Sequence, residues 1–407
     1  MGIALNKIIS ILLLLSVPLL TIAPKGGMIF GLIILLSLVA LKNSTYKYPH
    51  MDKWEKFIVF SFGFYFISTL ISILLFDGEI RDLDVASRFL LVLPIFFFFR
   101  QSKISPILLF SGVIITSMLF GLIKILPIFF SVKIPYLEFY NQAGLFTLYS
   151  AIVGISIFFF ISREHPVLLN LFLIFFGFIG IVVAILNGGR GVWLATIPTF
   201  FALLYFNPMF LNKLEKSLLT SFIIVSVTLS FYLPNSPAIE RVQRASSDIV
   251  NYVDSGNAKT SLGARLEMWK AAYLIIKENP LLGIGEDNFK SEKLRLINEG
   301  SISRDIERYR HAHGEYLSST VEQGILGFIS LILVFSSTFF YSIKLLKEKN
   351  NVHLKSIQIF GFSISSFYIF YSFTNGVFDH QNSTLFYAAI LASIFGLTKS
   401  FQINKKT

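Results

Sequence analysis

By hydropathy the chain is a succession of apolar runs separated by short polar turns, with one long exception. From about Pro234 to Tyr316 the sequence is polar and charged, and apolar sequence resumes directly after it. The apolar runs approach or reach the roughly 20 residues that a helix needs to cross a bilayer. They predict twelve spans, at 8–23, 28–41, 57–76, 89–99, 106–131, 144–162, 167–188, 192–211, 218–233, 316–343, 357–373 and 384–397. The run 89–99 is too short to cross as one straight helix. The first run follows a single Lys7 but lacks a small-x-small cleavage site, so it reads as a span rather than a signal peptide.

Basic residues test this alternation. One set of alternate connections carries seventeen Lys and Arg, and the short connections of the other set carry five: Lys25, Arg81, Arg88, Lys133 and Arg190. The positive-inside rule then places both termini in the cytoplasm and the long polar stretch outside. Three units follow: spans at 1–233, an outer helical loop at 234–315, and spans at 316–407.

Within the loop, twelve basic and twelve acidic residues cancel, and enough apolar residues remain to pack. An amphipathic helix is expected over 238–253 after Pro237. A second is expected from the cap Thr260 or Ser261 to Lys277, stopped by Asn279-Pro280, and a third over 288–298.

Composition agrees with the pattern. Hydrophobic residues make up 54% and charged residues 14%, well below the ~25% charged content of soluble domains. The net charge of +11 is carried largely by orientation signals, so nucleic acid is not an expected partner and membrane lipid is. With no cysteine, thiolate metal sites and cysteine catalysis are excluded.

Candidate chemistry lies on the outer side. Arg190, in Asn187-Gly188-Gly189-Arg190, sits where one span turns into the next; it reads either as a phosphate ligand or as a headgroup anchor. Arg265 lies near the start of a helix, where a cation opposes the dipole, and reads either as an anion ligand or as half of a surface ion pair. His311 and His313 precede the tenth span, and histidine suits general base work near neutral pH; the alternative is a polar helix start. If the pair is helical, the two side chains point about 200° apart. Asp82-Leu83-Asp84 has metal-site spacing but stands in a short outer loop, and Asp379-His380 faces the same side. Lys124 and Glu322 fall within spans, where ionisable residues are functional by default. No phosphate-binding P-loop, G-x-S-x-G or H-E-x-x-H occurs.

These residues together resemble the O-antigen ligase family. His313-Gly314, nine residues, then Gly324-Ile325-Leu326-Gly327 has the spacing of the family's histidine motif, with glycine where a polar residue is usual. Thr260–Leu266 is similar to the segment around the family's loop arginine, and 187–190 to its outer-face arginine. The resemblance implies an all-α polytopic membrane fold of the GT-C glycosyltransferase type. It has about twelve transmembrane helices and a large helical periplasmic loop between spans nine and ten. It implies transfer of O-polysaccharide from undecaprenyl diphosphate to lipid A–core oligosaccharide, at the periplasmic face of the inner membrane, without metal or cofactor. In that reading His313 is the base, Arg190 and Arg265 bind the diphosphate, and His311, Arg241 and Asn288 support diphosphate and sugar. The polar stretch then serves as a lid carrying Arg265. An O-antigen polymerase uses the same donor; a protein O-oligosaccharyltransferase and a polysaccharide transporter are more distant alternatives.

Overall fold

The computed structural model describes residues 2–23, 25–42, 50–125, 143–187, 189–207, 237–286, 288–348 and 352–404. Among these residues the chain is all helix and turn, with no strand. In chain order come α1 (Gly2–Ile22), α2 (Met28–Lys42), α3 (Lys53–Leu75), α4 (Leu83–Leu91), α5 (Leu93–Phe99) and α6 (Ile107–Lys124), then α7 (Ala143–Phe159), α8 (Val167–Asn187) and α9 (Arg190–Phe206). A polar layer of α10 (Pro237–Ser255), α11 (Ser261–Glu278) and α12 (Phe289–Asn298) follows. The chain closes with α13 (Glu315–Lys347), α14 (Val352–Tyr371) and α15 (Gln381–Asn404).

Six of these helices, α1, α3, α6, α8, α13 and α15, are long and apolar enough to span a membrane. This is a polytopic helical membrane protein. The outward face of α8 presents Leu168, Phe172, Phe175 and Phe178 uncovered, as lipid-facing positions require. By contrast α14 is buried along nearly its whole length and forms the centre of the body, between α7, α9, α13 and α15.

The expected span at 89–99 is not one helix. Leu83–Leu91 and Leu93–Phe99 are separate short helices meeting at Val92, with Pro94 in the first turn of the second. Proline lacks the amide hydrogen and crowds the carbonyl four residues back, which favours a kink or break on its N-terminal side and suits it to the first turn of a new helix. The expected span 218–233 lies outside the described residues, as do 126–131 and 208–211.

Two local arrangements fix the body. At one end Asp52 caps α3, accepting from the amides of Trp54 and Glu55 at 2.9 and 3.0 Å, while Glu55 accepts from the Asp52 amide at 2.7 Å. Glu55 also pairs with Arg100 at 2.8 Å, both side chains fully or almost fully buried, and Lys399 of α15 reaches Asp52 at 2.8 Å. This ties α3, the end of α5, and α15 together; leaving either buried partner alone costs about 3–5 kcal/mol. Elsewhere α7 and α8 touch backbone to backbone. A Cβ on Gly154 would lie 2.6 Å from the Ile181 nitrogen, and one on Gly180 would lie 2.7 Å from the Gly154 Cα. Small residues at such a crossing let membrane helices approach closely.

The polar layer has its own apolar core, formed by Met268, Ala271, Ile275, Phe289, Leu296 and Ile306, and α13 contributes Val321 to it. Thr260 caps α11 by accepting from the Gly263 amide at 3.0 Å. Tyr252 of α10 donates to Glu267 at 2.5 Å; burial, then the bond to that carboxylate, raises the Tyr252 hydroxyl far above its ordinary range. Lys293 is fully buried. Its ammonium donates to the carbonyls of Ile306 and Glu307 at 3.0 Å and to that of Tyr309, and burial lowers its pKa to about 8. The chain leading to His311 and His313 is thereby held to α12.

The layer is fastened to α13 at a break. Gly324 has φ 63° and ψ −152°, so the helix is interrupted there. The α11–α12 connection threads into the gap. Amides of Ile284 and Gly285 donate to the carbonyls of Val321 and Glu322, both at 2.9 Å, and the Ile325 amide donates to the Pro280 carbonyl at 3.0 Å. A Cβ on Gly324 would sit 2.3 Å from the Leu281 carbonyl carbon. Only glycine meets both the backbone angle and the close approach.

Candidate active site around His313

His313 stands two residues before α13, not within it. Its φ of 53° is left-handed, uncommon for a residue with a side chain although histidine is among the types enriched there. His311 and His313 thus precede the helix, as expected from the sequence, and the alternative of a polar helix start does not hold. The chain turns at His313, passes through an extended Gly314, and enters α13 at Glu315. The Glu315 amide donates to the carbonyls of Ser372 and Asn375 at 2.9 and 3.2 Å, anchoring this entry on the α14–α15 connection.

Arg265 and Trp269 lie one turn apart on α11 and so share a face. The Trp269 indole donates to the His313 carbonyl at 3.3 Å. Burial lowers the pKa of His313, and the Arg265 charge lowers it further, while Asp379 opposes the shift. At neutral pH the imidazole is accordingly unprotonated, the form a general base needs. The Tyr309 ring meets the imidazole edge-on at 5.8 Å between centroids.

Arg190 is the first residue of α9. Its neighbour Gly191 packs against Thr374, Asn375 and Tyr371, and the Arg265 charge reaches Tyr371 as well. The start of α9, Arg265 and the approach to His313 therefore all meet at the α14–α15 connection. The preceding turn is pinned by Asn187, whose amide donates to Thr147 at 2.9 Å. Arg241 falls on α10, about three turns before Tyr252. The side chains of Arg190 and Arg241 lie outside the described ones.

A cavity of about 600 Å³ opens near His311 and Asp379. It is lined by Asp77, Glu79 and Asp82 from the α3–α4 connection, by Asp84 in the first turn of α4, by Glu286, by Glu315 and Glu322 of α13, and by Asp379. His311 and Asn288 line it too. Asn288 spends its amide on the Ile284 carbonyl at 2.9 Å, which shapes the rim. Glu315 accepts from the Phe378 amide at 3.0 Å. Gln323 joins Glu286 at 2.8 Å to Ser68 at 2.7 Å and Thr69 at 3.1 Å. Asp82 accepts from the Glu79 amide at 2.9 Å, and Asp84 pairs with Arg88 at 2.7 Å. No group of three or more acidic, histidine or cysteine side chains among the described residues is arranged to hold a metal ion. Lys124 and Glu322 have different surroundings: Lys124 sits 5.7 Å over the Phe146 ring, whereas Glu322 hydrogen-bonds Glu286 beside the cavity.

Sequence reasoning had Asp82 with Asp84 as a pair of metal-site spacing and Asp379-His380 as a candidate liner of the same cavity, but did not join them with Asp77, Glu79, Glu286 and Glu315, and missed Trp269.

The architecture defines a polytopic membrane protein with its polar chemistry gathered under a helical outer layer. A sequence model described as "O-Antigen ligase" matches residues 172–332, from α8 through the break in α13. A protein of Haemophilus influenzae, described only as uncharacterized, is 30% identical over 378 residues, covering 90% of this chain and 92% of that protein. The O-antigen ligase of Escherichia coli K12 is 24% identical over 164 residues, 38% of this chain and 37% of that protein. Over residues 172–332 the chain matches the O-antigen ligase family, consistent with membership of the superfamily of ligases and polymerases of lipopolysaccharide-related glycan transfer.

Proposed function

We propose that this protein is an O-antigen ligase, a glycosyltransferase that moves O-polysaccharide from undecaprenyl diphosphate to lipid A–core oligosaccharide. The carrying observation is the position of His313 at the entry to α13, where the charges of both Arg265 and Asp379 reach it and burial with Arg265 keeps its pKa low. In the step, an acceptor hydroxyl gives its proton to His313 as its oxygen bonds to C1 of the donor sugar. The C1–O bond to the diphosphate breaks with its electron pair leaving on the diphosphate, and C1 is inverted. Arg265 and Arg190 stabilise that departing charge, the interaction that strengthens most toward the transition state. His311 and Asn288 contribute to sugar contacts and Arg241 to the diphosphate path. No divalent ion or cofactor enters this scheme.

The same reading gives the chain about twelve spans, termini in the cytoplasm, and the layer 234–315 in the periplasm between span units 1–233 and 316–407. The basic-residue asymmetry supports this orientation. The protein would sit in the bacterial inner membrane and draw both substrates from it.

The deciding experiment is the lipid-linked product left in a deletion strain. Full-length chains stranded on the carrier are expected. Single repeat units stranded on the carrier would make the protein a polymerase instead.

A further inference from the structure

The α11–α12 connection presents an apolar surface outward. Pro280-Leu281-Leu282-Gly283-Ile284-Gly285 carries no polar side chain, inside a stretch otherwise rich in charge. Ile284 turns inward and joins the core of the polar layer, whereas Leu281 and Leu282 stay 68% and 45% exposed. Their surroundings say what covers them. The Gly324 break brings the backbone of both leucines against α13, and directly after it Ile325, Ile329 and Ile332 are exposed. Spacings of four and three put those isoleucines on one face of α13. Since α13 is long and apolar enough to span a membrane, that face is a lipid-facing one. At the other end of the connection a Cβ on Gly285 would lie 2.6 Å from the Phe76 Cβ. Phe76 directly follows α3, where exposed Ile67, Ile71 and Leu74 form a second such stripe. The backbone is also suited to an apolar medium. Pro280 has no amide to satisfy, and the Gly283, Ile284 and Gly285 amides donate to the carbonyls of Asn279, Val321 and Glu322 at 3.2, 2.9 and 2.9 Å, so these groups need no water.

We infer that Leu281 and Leu282 are a membrane anchor of the polar layer, their side chains entering the acyl region of the bilayer beside α3 and α13. The occupant is lipid rather than a second protein, because the patch continues the lipid-facing stripe of α13, passing from Leu281 to Ile325 across Gly324 alone. The layer is then held twice, to the membrane body by the hydrogen bonds at the break and to the bilayer by these two side chains. The anchor follows the end of α11 away from Arg265, so the helix that carries Arg265 is fixed in lipid at its far end. This rests on the membrane fold and not on the transferase reading.

The chain has no cysteine, so a nitroxide label can be placed at single positions of the full-length protein in lipid nanodiscs. Leu281→Cys and Leu282→Cys are compared with Ile329→Cys, on the lipid-facing stripe, and with Arg304→Cys, at a side chain largely in solvent. Collision of each label with oxygen, which partitions into acyl chains, and with a water-soluble nickel chelate gives its depth. At least one of the labels at 281 and 282 is expected about 5 Å or more below the headgroup boundary, resembling 329 rather than 304. Both labels colliding mainly with the chelate, or both shielded from the two reagents as under a second copy of the chain, would overturn the anchor. The double variant Leu281→Gln, Leu282→Gln should speed hydrogen exchange over 283–285 about tenfold in nanodiscs, with exchange in α14 unchanged. Leu281→Phe with Leu282→Phe should keep the wild-type rate; equal rates in the two double variants would also overturn it.

Discussion

Two groups of opposite charge lie near His313: Arg265, on a helix of the polar layer, with the start of α9; and the eight carboxyl groups that line a cavity together with His311. The cationic side is assembled from helix faces: Arg265 and Trp269 are one turn apart on α11, and Arg190 opens α9. The acidic side comes mostly from connections and from the first turns of α13, which form the near wall of the membrane body. Under the transferase reading proposed above, the cationic group holds the departing diphosphate, and His313 is the residue that charges of both signs reach.

The largest expected effect comes from removing that residue. His313→Ala should lower transfer by about 10²–10⁴-fold, the usual contribution of a general base, with membrane abundance unchanged by immunoblot. Next is the seam joining the sides. Gly324→Val puts a side chain where the Leu281 backbone already lies at a backbone angle valine avoids. It should lower the melting temperature of the purified protein by several degrees, about 1–3 kcal/mol of strain, and expose 280–285 to proteolysis. Arg265→Lys keeps the charge but loses the bidentate fork, and should lower kcat/KM by about tenfold or more.

The pH profile separates the two sides most directly. The His313 pKa lies below its ordinary value of 6.5, lowered by burial and then by Arg265, so the acid limb of kcat/KM should fall below pH 6.5. Removing a cation with Arg265→Gln raises the histidine pKa and moves the limb to higher pH; removing an anion with Asp379→Asn moves it lower. A limb that stays put in both variants would mean that another group titrates. The smallest effect is expected at Gly314. Its backbone is extended and suits any residue, and an added Cβ would lie 3.3 Å from the Phe373 carbonyl oxygen. Gly314→Ser should therefore keep near wild-type transfer in the same assay.

Much of this was legible in the sequence because bilayer thickness imposes a length on every span, and because Asn279-Pro280 and Thr260 carry local stop and start chemistry that the structure repeats at α11. The spacing from His313 to Gly324 was equally visible. What the glycine does was not, since the apolar sequence runs on past the break and only a neighbouring loop makes the interruption favourable. The chain after the turn at His313 is held by the carbonyls of Ser372 and Asn375, far away in sequence, so the left-handed backbone at His313 had no local signal. Pro94 did mark the interruption between α4 and α5, but the aromatic run around it suggested one segment. The acidic cavity draws on four stretches between Asp77 and Gln381 with no fixed spacing, and such a constellation exists only after folding.

The break at Gly324 also divides α13 into two parts. Backbone groups freed by an interrupted helix cannot be left facing hydrocarbon; here the α11–α12 connection satisfies them. The part after it, Ile325–Lys347, rises about 34 Å at 1.5 Å per residue, close to the ~30 Å hydrocarbon thickness. Glu315, Ser318 and Glu322 lie before that part, on the side of the break where the polar layer is fastened.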